Sequence, residues 1–260
     1  MEKISDLNVI LALYGIPGVI AIEKLFSMGI NPEQINIFTH KKDVRNLPLW
    51  NYAKSNGIRI VDYQVNSKDL YLWVKEKNPS ALFSLHYRDR IPLKIIELTK
   101  YGGVNLHPSL LPDYRGCFSI PWAIINGEKR TGYTYHYMIE EFDKGNIIFQ
   151  KSVIINKNDT AFSLFHKLII QSLNSFETVF RKVVFANYKG QKQPKKGSYF
   201  PREVPYGGYI DLAWDRERIK RFIRAMSFPP YKGAILKFNS DGHEVKTYSE
   251  FLTLKTKYSF

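Results

Sequence analysis

The chain has 260 residues, 44% of them hydrophobic and 15% aromatic, which excludes a disordered chain and allows one full-sized core with a small appendage. Lys and Arg outnumber Asp and Glu by 38 to 24, so the net charge is +14 and anionic partners are favoured. No apolar run reaches the roughly 18 residues of a membrane span. The opening Met1-Glu2-Lys3-Ile4-Ser5-Asp6 does not read as a signal peptide, and one cysteine, Cys117, builds neither a disulfide framework nor a zinc site, so a cytoplasmic setting is expected.

Residues 7–13 (LNVILAL) are continuously apolar, as in a buried strand. Gly15, Pro17 and Gly18 then turn the chain into a helix predicted over 17–28 and closed by Gly29. A second strand covers 34–39, a helix covers 49–56 up to Gly57, and a third strand covers 58–61. An amphipathic helix follows over 67–77 with Ser67 as its N-cap, then strands over 80–85 and 103–106. Strands separated by helices of about ten residues predict an α/β fold with a parallel sheet and right-handed crossovers.

Ligands in such sheets sit outside the carboxyl ends of the strands. The segments 85–88 (LHYR) and 105–108 (NLHP) are therefore candidate site segments. The first strand is followed by no G-x-G-x-x-G, and no Walker A motif occurs, which argues against a dinucleotide or P-loop site.

Beyond the fifth strand, a short helix is predicted over 119–126 and an alternating strand over 131–139. A further strand covers 146–155, and the two strands flank an acidic loop, 140–145 (EEFDKG). One long helix is expected over 159–186, then a basic linker over 189–197 and an Arg-rich helix over 214–226. Phe228-Pro229-Pro230-Tyr231 breaks that helix, and a hairpin of 233–238 with 243–251 turns around 239–242. The fold class is a Rossmann-like, mostly parallel sheet flanked by helices, with a small C-terminal helix and β-hairpin. Residues 181–237 hold fourteen basic and four acidic side chains, so that stretch alone carries +10.

Asn105 and His107 stand two residues apart at a strand end and so share one face. Pro108 and Pro112 stiffen the loop behind them. An amide and an imidazolium can donate to a developing oxyanion, and a carboxylate such as Asp143 can orient the imidazole or accept a proton. No Ser or Cys is set up as a nucleophile, which favours direct acyl transfer to an amine; Cys117 is expected to be dispensable. Of the other histidines, His136 reads as core or half-buried, His86 is open to a binding role, and His40, His166 and His243 read as surface. No histidine has the spacing of a metal ligand set, so no metal is expected.

The run Asn105-x-His107-Pro108-Ser109-Leu110-Leu111-Pro112-x-Tyr114-Arg115-Gly116, followed by Asp143-x-Gly145 and a strand, resembles the folate-dependent formyltransferases. The resemblance covers about residues 1–186 and returns at 223–234. It implies 10-formyltetrahydrofolate as donor, a catalytic set of Asn105, His107 and Asp143, and donor binding at Phe83, Ser84 and Leu85 and at Ile139, Glu140 and Glu141. The G-I-P-G turn at 15–18 departs from the family, so no donor contact is expected there. The implied division is a catalytic domain over 1–186 and an extension over 187–260 that completes the acceptor site and contributes to a homodimer contact.

Those last 74 residues are too few for the tRNA-binding barrel of methionyl-tRNA members and suit the sugar N-formyltransferase subgroup. That subgroup implies a nucleotide-linked amino-dideoxyhexose of surface-glycan synthesis, with dTDP-4-amino-4,6-dideoxyglucose preferred here. Tyr114, Arg115, Gly116, Arg202, Arg224, Tyr231 and Lys232 are the expected acceptor-binding residues, because rings stack on a base and guanidinium groups pair with phosphate. The alternative is a methionyl-tRNA formyltransferase-like enzyme or an RNA-binding protein that uses the basic tail; a membrane partner is not expected.

Overall fold

In the computed structural model, residues 3–194, 196–238 and 241–258 are described. The expected five strands are present as β1 (Val9–Leu13), β2 (Ile35–Thr39), β3 (Arg59–Val61), β4 (Ala81–Leu85) and β5 (Gly103–His107). They alternate with α1 (Gly15–Ser27), α2 (Leu47–Ser55), α3 (Lys68–Lys77) and the single turn α4 (Leu93–Ile96). Every residue of β1, β2 and β4 is buried, which is why these strands read as unbroken apolar runs. Ser67 caps α3 as expected, its hydroxyl accepting from the Leu70 N–H at 3.1 Å.

The chain divides into two units. The first holds everything up to His107, with Thr134–Gln150 and Ile169–Gln193. The second holds Pro108–Tyr133, Lys151–Leu168 and the chain from Pro194 onward. The main sheet has the order β3-β2-β1-β4-β5-β7-β8, where β7 is Arg130–Tyr137 and β8 is Ile147–Ile154. Neighbours from β3 through β5 pair in parallel, and β7 pairs antiparallel to β5 with Asn105 opposite His136. In the first unit, Ile10, Ala12, Phe38 and Leu82 pack with Leu70, Trp73, Val74, Ile95 and Ile96 of α3 and α4. Phe83 points into a different part of the core, stacked on Phe180 at 5.4 Å and edge-on to Phe176 at 5.3 Å.

The predicted long helix over 159–186 is instead two, α6 (Ala161–Asn174) and α7 (Phe176–Val184). Polar side chains compete for the backbone where it breaks: Ser172 Oγ donates to Ile169 O at 2.8 Å and Ser175 Oγ to Gln171 O at 3.4 Å. The linker over 189–197 is not featureless. Gln191 forms a bridge with Ile147, and Gln193 is buried.

In the second unit, β6 (Arg115–Gly116) pairs with β9 (Tyr199–Phe200). A Cβ on Gly116, at φ +87°, would meet Phe200 O at 2.1 Å. Next to these lie α5 (Ser119–Ile125) and α8 (Arg216–Met226), with Phe222 fully buried. β10 (Ala234–Phe238) and β11 (Asp241–Val245) form the expected hairpin; residues 239 and 240 of its predicted turn lie outside the described residues, as do Met1 and Glu2. The second strand does not continue to 251. It ends at Val245, and α9 (Tyr248–Lys257) follows. Thr247 caps α9 by accepting from the Glu250 N–H at 3.1 Å, and Glu250 reaches back to the Lys246 N–H at 2.7 Å. Among the described residues, no helix is long and apolar enough to cross a membrane.

Candidate active site

The carboxyl end of β5 delivers Asn105 and His107 to one face, as their spacing requires. The loop between β7 and β8 brings Asp143 to them. Its Oδ2 lies 3.5 Å from His107 Nδ1, and its Oδ1 lies 3.4 Å from His136 Nε2. His136 Nε2 is also 3.2 Å from the Asn105 amide nitrogen. His107 is 4% exposed and His136 2%. The three expected residues therefore converge, and a fourth group joins them, since His136 touches both Asn105 and Asp143.

The loop is held in an unusual shape. Asp143 sits at φ +53°, in the left-handed region. A Cβ on Gly145 would lie 1.8 Å from Tyr137 O, so only glycine allows the loop to close onto β7. From the far side, the amide nitrogen of Gln193 donates to Asp143 O and to Gly145 O, both at 2.7 Å. At the loop's entry, Arg90 Nη2 donates to Glu140 Oε1 at 2.9 Å, and its guanidinium lies 4.7 Å from the Phe142 ring centroid.

His136 Nδ1 is 2.9 Å from Tyr137 O, so a neutral ring with its proton on Nδ1 accepts from Asn105 at Nε2. A doubly protonated ring would instead donate from Nε2 to Asp143. The arrangement can thus move a proton between imidazole and carboxylate while an Asn105 N–H and a His107 N–H serve a developing oxyanion. An amide, imidazoles and one carboxylate, shielded from bulk water, fit a formyl group undergoing acyl transfer. Among the described residues, no group of three His, Cys, Asp or Glu side chains could hold a metal ion.

The other expected residues fall into two sets. The Phe83, Ser84 and Leu85 side chains are buried, while Ile139, Glu140 and Glu141 are exposed on the loop. Next along β4, His86 is at φ +63°, and burial pushes its imidazole down to about 4, so it is neutral at pH 7. In the second unit, Tyr114 hydroxyl donates to Glu128 at 2.7 Å, and its ring stacks on Phe200. Burial, then Glu128, pushes that phenol up to about 12. Arg115 is buried. Arg224 Nη1 donates to Asp159 O at 2.6 Å, which gives that guanidinium a structural partner. Arg202, Tyr231 and Lys232 are exposed.

The sheet and this polar edge define an α/β group-transfer enzyme. Residues 29–178 match the formyl transferase family, and the chain belongs to that family. It is 40% identical over 254 residues to GDP-perosamine N-formyltransferase of Brucella melitensis biotype 1, covering 98% of each chain. A sugar 3N-formyl transferase solved in the presence of dTDP and 5-N-formyl-THF has a TM-score of 0.74 at 26% identity, covering 91% of this chain and 84% of that one. A sugar N-formyltransferase from a Shewanella species has a TM-score of 0.75 at 22% identity, covering 92% and 96%. The protein is a folate-dependent formyl-transfer enzyme.

Proposed function

We propose that the protein transfers a formyl group from 10-formyltetrahydrofolate to the amine of a GDP-linked amino-dideoxyhexose of the perosamine type. The observation that carries the chemistry is the convergence of Asn105, His107 and His136 on Asp143. What supports the acceptor is identity to the Brucella enzyme over nearly the whole of both chains. That likeness favours a guanosine nucleotide over the dTDP-4-amino-4,6-dideoxyglucose expected from the sequence. It also favours a sugar over methionyl-tRNA or another RNA.

The acceptor amine attacks the formyl carbon, and the carbonyl oxygen gains negative charge. Asn105 and His107 donate hydrogen bonds to that oxygen. Asp143, bridging His107 and His136, takes the proton that the amine loses, and N10 of the folate receives a proton as its bond to the formyl carbon breaks. The donor is held by backbone at the end of β4 and by the 140–145 loop. The exposed Arg202, Tyr231 and Lys232 are nucleotide contacts in this reading.

The test is incubation with the formyl donor and a panel of GDP-perosamine, dTDP- and UDP-linked amino sugars and charged methionyl-tRNA, read by mass. A gain of one formyl group on GDP-perosamine is expected. Product on methionyl-tRNA alone would overturn the reading.

A further inference from the structure

Two rungs join β5 to β7 at the site: Asn105 stands opposite His136, and His107 stands opposite Thr134. Residues directly opposite on antiparallel strands share a face, with Cβ atoms about 4.5–5.5 Å apart. Thr134 and His136 therefore lie on the side that carries Asn105 and His107. Tyr135 points the other way, where its hydroxyl donates to Ser172 O of α6 at 2.9 Å. The first rung is tied by the contact between Asn105 and His136. The second rung runs further, into β8, the outer strand of the sheet. There the Gln150 amide nitrogen donates to Thr134 Oγ1 at 2.8 Å. Gln150 is exposed, whereas Thr134 is 0% exposed and His107 4%.

A ring that must aim an N–H at one oxygen needs its plane fixed. Asp143 Oδ2, at 3.5 Å from His107 Nδ1, is long for a hydrogen bond and does not by itself set that plane. The buried side chain across from His107 is Thr134, which has a methyl on one branch and a hydroxyl on the other. Which branch the imidazole meets depends on the χ1 well that Thr134 occupies. Gln150 selects the well: its N–H takes a lone pair of Oγ1, and a turn of about 120° to another well would break that bond. The backbone ladder already builds β7, so the effect of this bond falls on the one side chain that faces His107.

We propose that Gln150 is a positioning residue for formyl transfer: from the outer strand it fixes the rotamer of Thr134, which in turn sets the plane of the His107 ring toward the formyl oxygen. This rests on the role of His107 in the reading above. Gln150 touches neither substrate in this arrangement, so it acts on kcat and not on binding.

The test is kinetics with 10-formyltetrahydrofolate and GDP-perosamine on the wild type, Gln150→Ala, Gln150→Glu, Thr134→Val, Thr134→Ser and the double variant Thr134→Val/Gln150→Ala. Gln150→Ala should lower kcat about tenfold, as a misaimed catalytic group does, with both KM values within about twofold of the wild type. Gln150→Glu keeps the shape but has no donor, and should lose at least as much. Thr134→Val should also cost about tenfold, and Thr134→Ser, which keeps the hydroxyl, should recover most of the rate. The double variant should be no slower than Thr134→Val, because without the hydroxyl Gln150 has nothing to hold. Losses that multiply to about a hundredfold in the double variant would overturn the proposal. So would an unchanged kcat in Gln150→Ala, or a rise in the acceptor KM alone, which would make Gln150 an acceptor contact. If the wild type does not formylate GDP-perosamine, the acceptor reading itself fails, and the ¹⁵N spectrum of the imidazoles in the free protein decides about Gln150. The His107 resonances, assigned by their loss in His107→Asn, should then move in Gln150→Ala and Thr134→Val alike, while those of His166 and His243 stay. His107 resonances that do not move would overturn the proposal.

Discussion

Asp143 faces two histidines with one carboxylate, and that sharing sets what each substitution does. Asp143→Asn or His107→Asn should lower kcat by about 100-fold or more while donor binding changes little, since these groups act on charge that develops in the transition state. His136→Gln should fall between the wild type and these variants. It removes the ring that links Asn105 to Asp143 but leaves His107 in place, and single-turnover rates check the order. Gln193→Ala tests the loop rather than the chemistry. It strips the shared donor from Asp143 O and Gly145 O, and unsatisfied buried carbonyls cost about 1–3 kcal/mol. We expect kcat to drop at least about tenfold with a fall of only a few degrees in Tm; an unchanged kcat would detach Gln193 from the site. Asn105 and His107 were legible because period two on a strand puts both on one face. His136 was harder, because a strand alternating Tyr133, Tyr135 and Tyr137 with Thr134 and His136 looks alike whether its polar face meets water or a site. The polar parity was the available signal, but only the β5–β7 register, Asn105 opposite His136, gives it meaning.

Element boundaries in the second unit turn on capping and on one buried carboxylate. Thr247-Tyr248-Ser249-Glu250 is a capping-box signature, and it outweighs the β-like look of 243–251 once Thr247 accepts from the Glu250 N–H in the first turn and Glu250 accepts from the Lys246 N–H just ahead of the helix. The start of α6 is tied in a similar way. Asp159 accepts from the Asn156 N–H at 2.7 Å, from Ser163 and from Lys167, while its carbonyl accepts from Arg224. Burial pushes the Asp159 carboxyl up, but Lys167, the Asn156 N–H and Ser163 outweigh it and hold the carboxyl below its usual range. A carboxyl whose folded pKa is depressed contributes stability that is present above its unfolded value of about 3.9 and is lost as pH falls through the folded value. Asp159→Asn should therefore lower Tm at pH 7 and flatten the acid-side loss of stability, measured by melting from pH 7 down to pH 2. Burial, then the repulsion of Arg221, lowers the Arg224 pKa, against the pull of Asp159 and Glu217. Arg224→Ala should cost about 1–3 kcal/mol of stability through the lost charged hydrogen bond. The Michaelis constants for folate and acceptor should move little. A selective rise for the acceptor would return Arg224 to the nucleotide.

At the scale of the whole molecule, chain order and spatial grouping part company. Parallel strands with helical crossovers were readable from periodicity, since that pattern is local. The grouping of 108–133 with 151–168 and the chain beyond 194 was not, because it depends on pairings far apart in sequence. Within the first unit, Ile147 and Gln191 exchange backbone hydrogen bonds at 2.8 Å, Asn146 donates to Lys189 O at 2.9 Å, and Gln193 holds the Asp143 loop. Within the second, the Arg115 N–H donates to Ser198 O at 3.0 Å, the Cys117 N–H donates to Phe200 O at 2.9 Å, and α8 buries Phe222 and Ile223. A chain ended at residue 186 loses all of these at once. It strips partners from buried backbone in both units and exposes the apolar surface that α8 covered. We predict that residues 1–186 expressed alone show no cooperative melting transition and no transfer activity, and that adding 187–260 as a separate peptide restores little. Full-length protein should melt in the same buffer with a sharp transition. A soluble 1–186 fragment that melts cooperatively and binds folate would place an independent domain boundary at 186, and would mean that the contacts made by 187–200 add to a fold already complete without them.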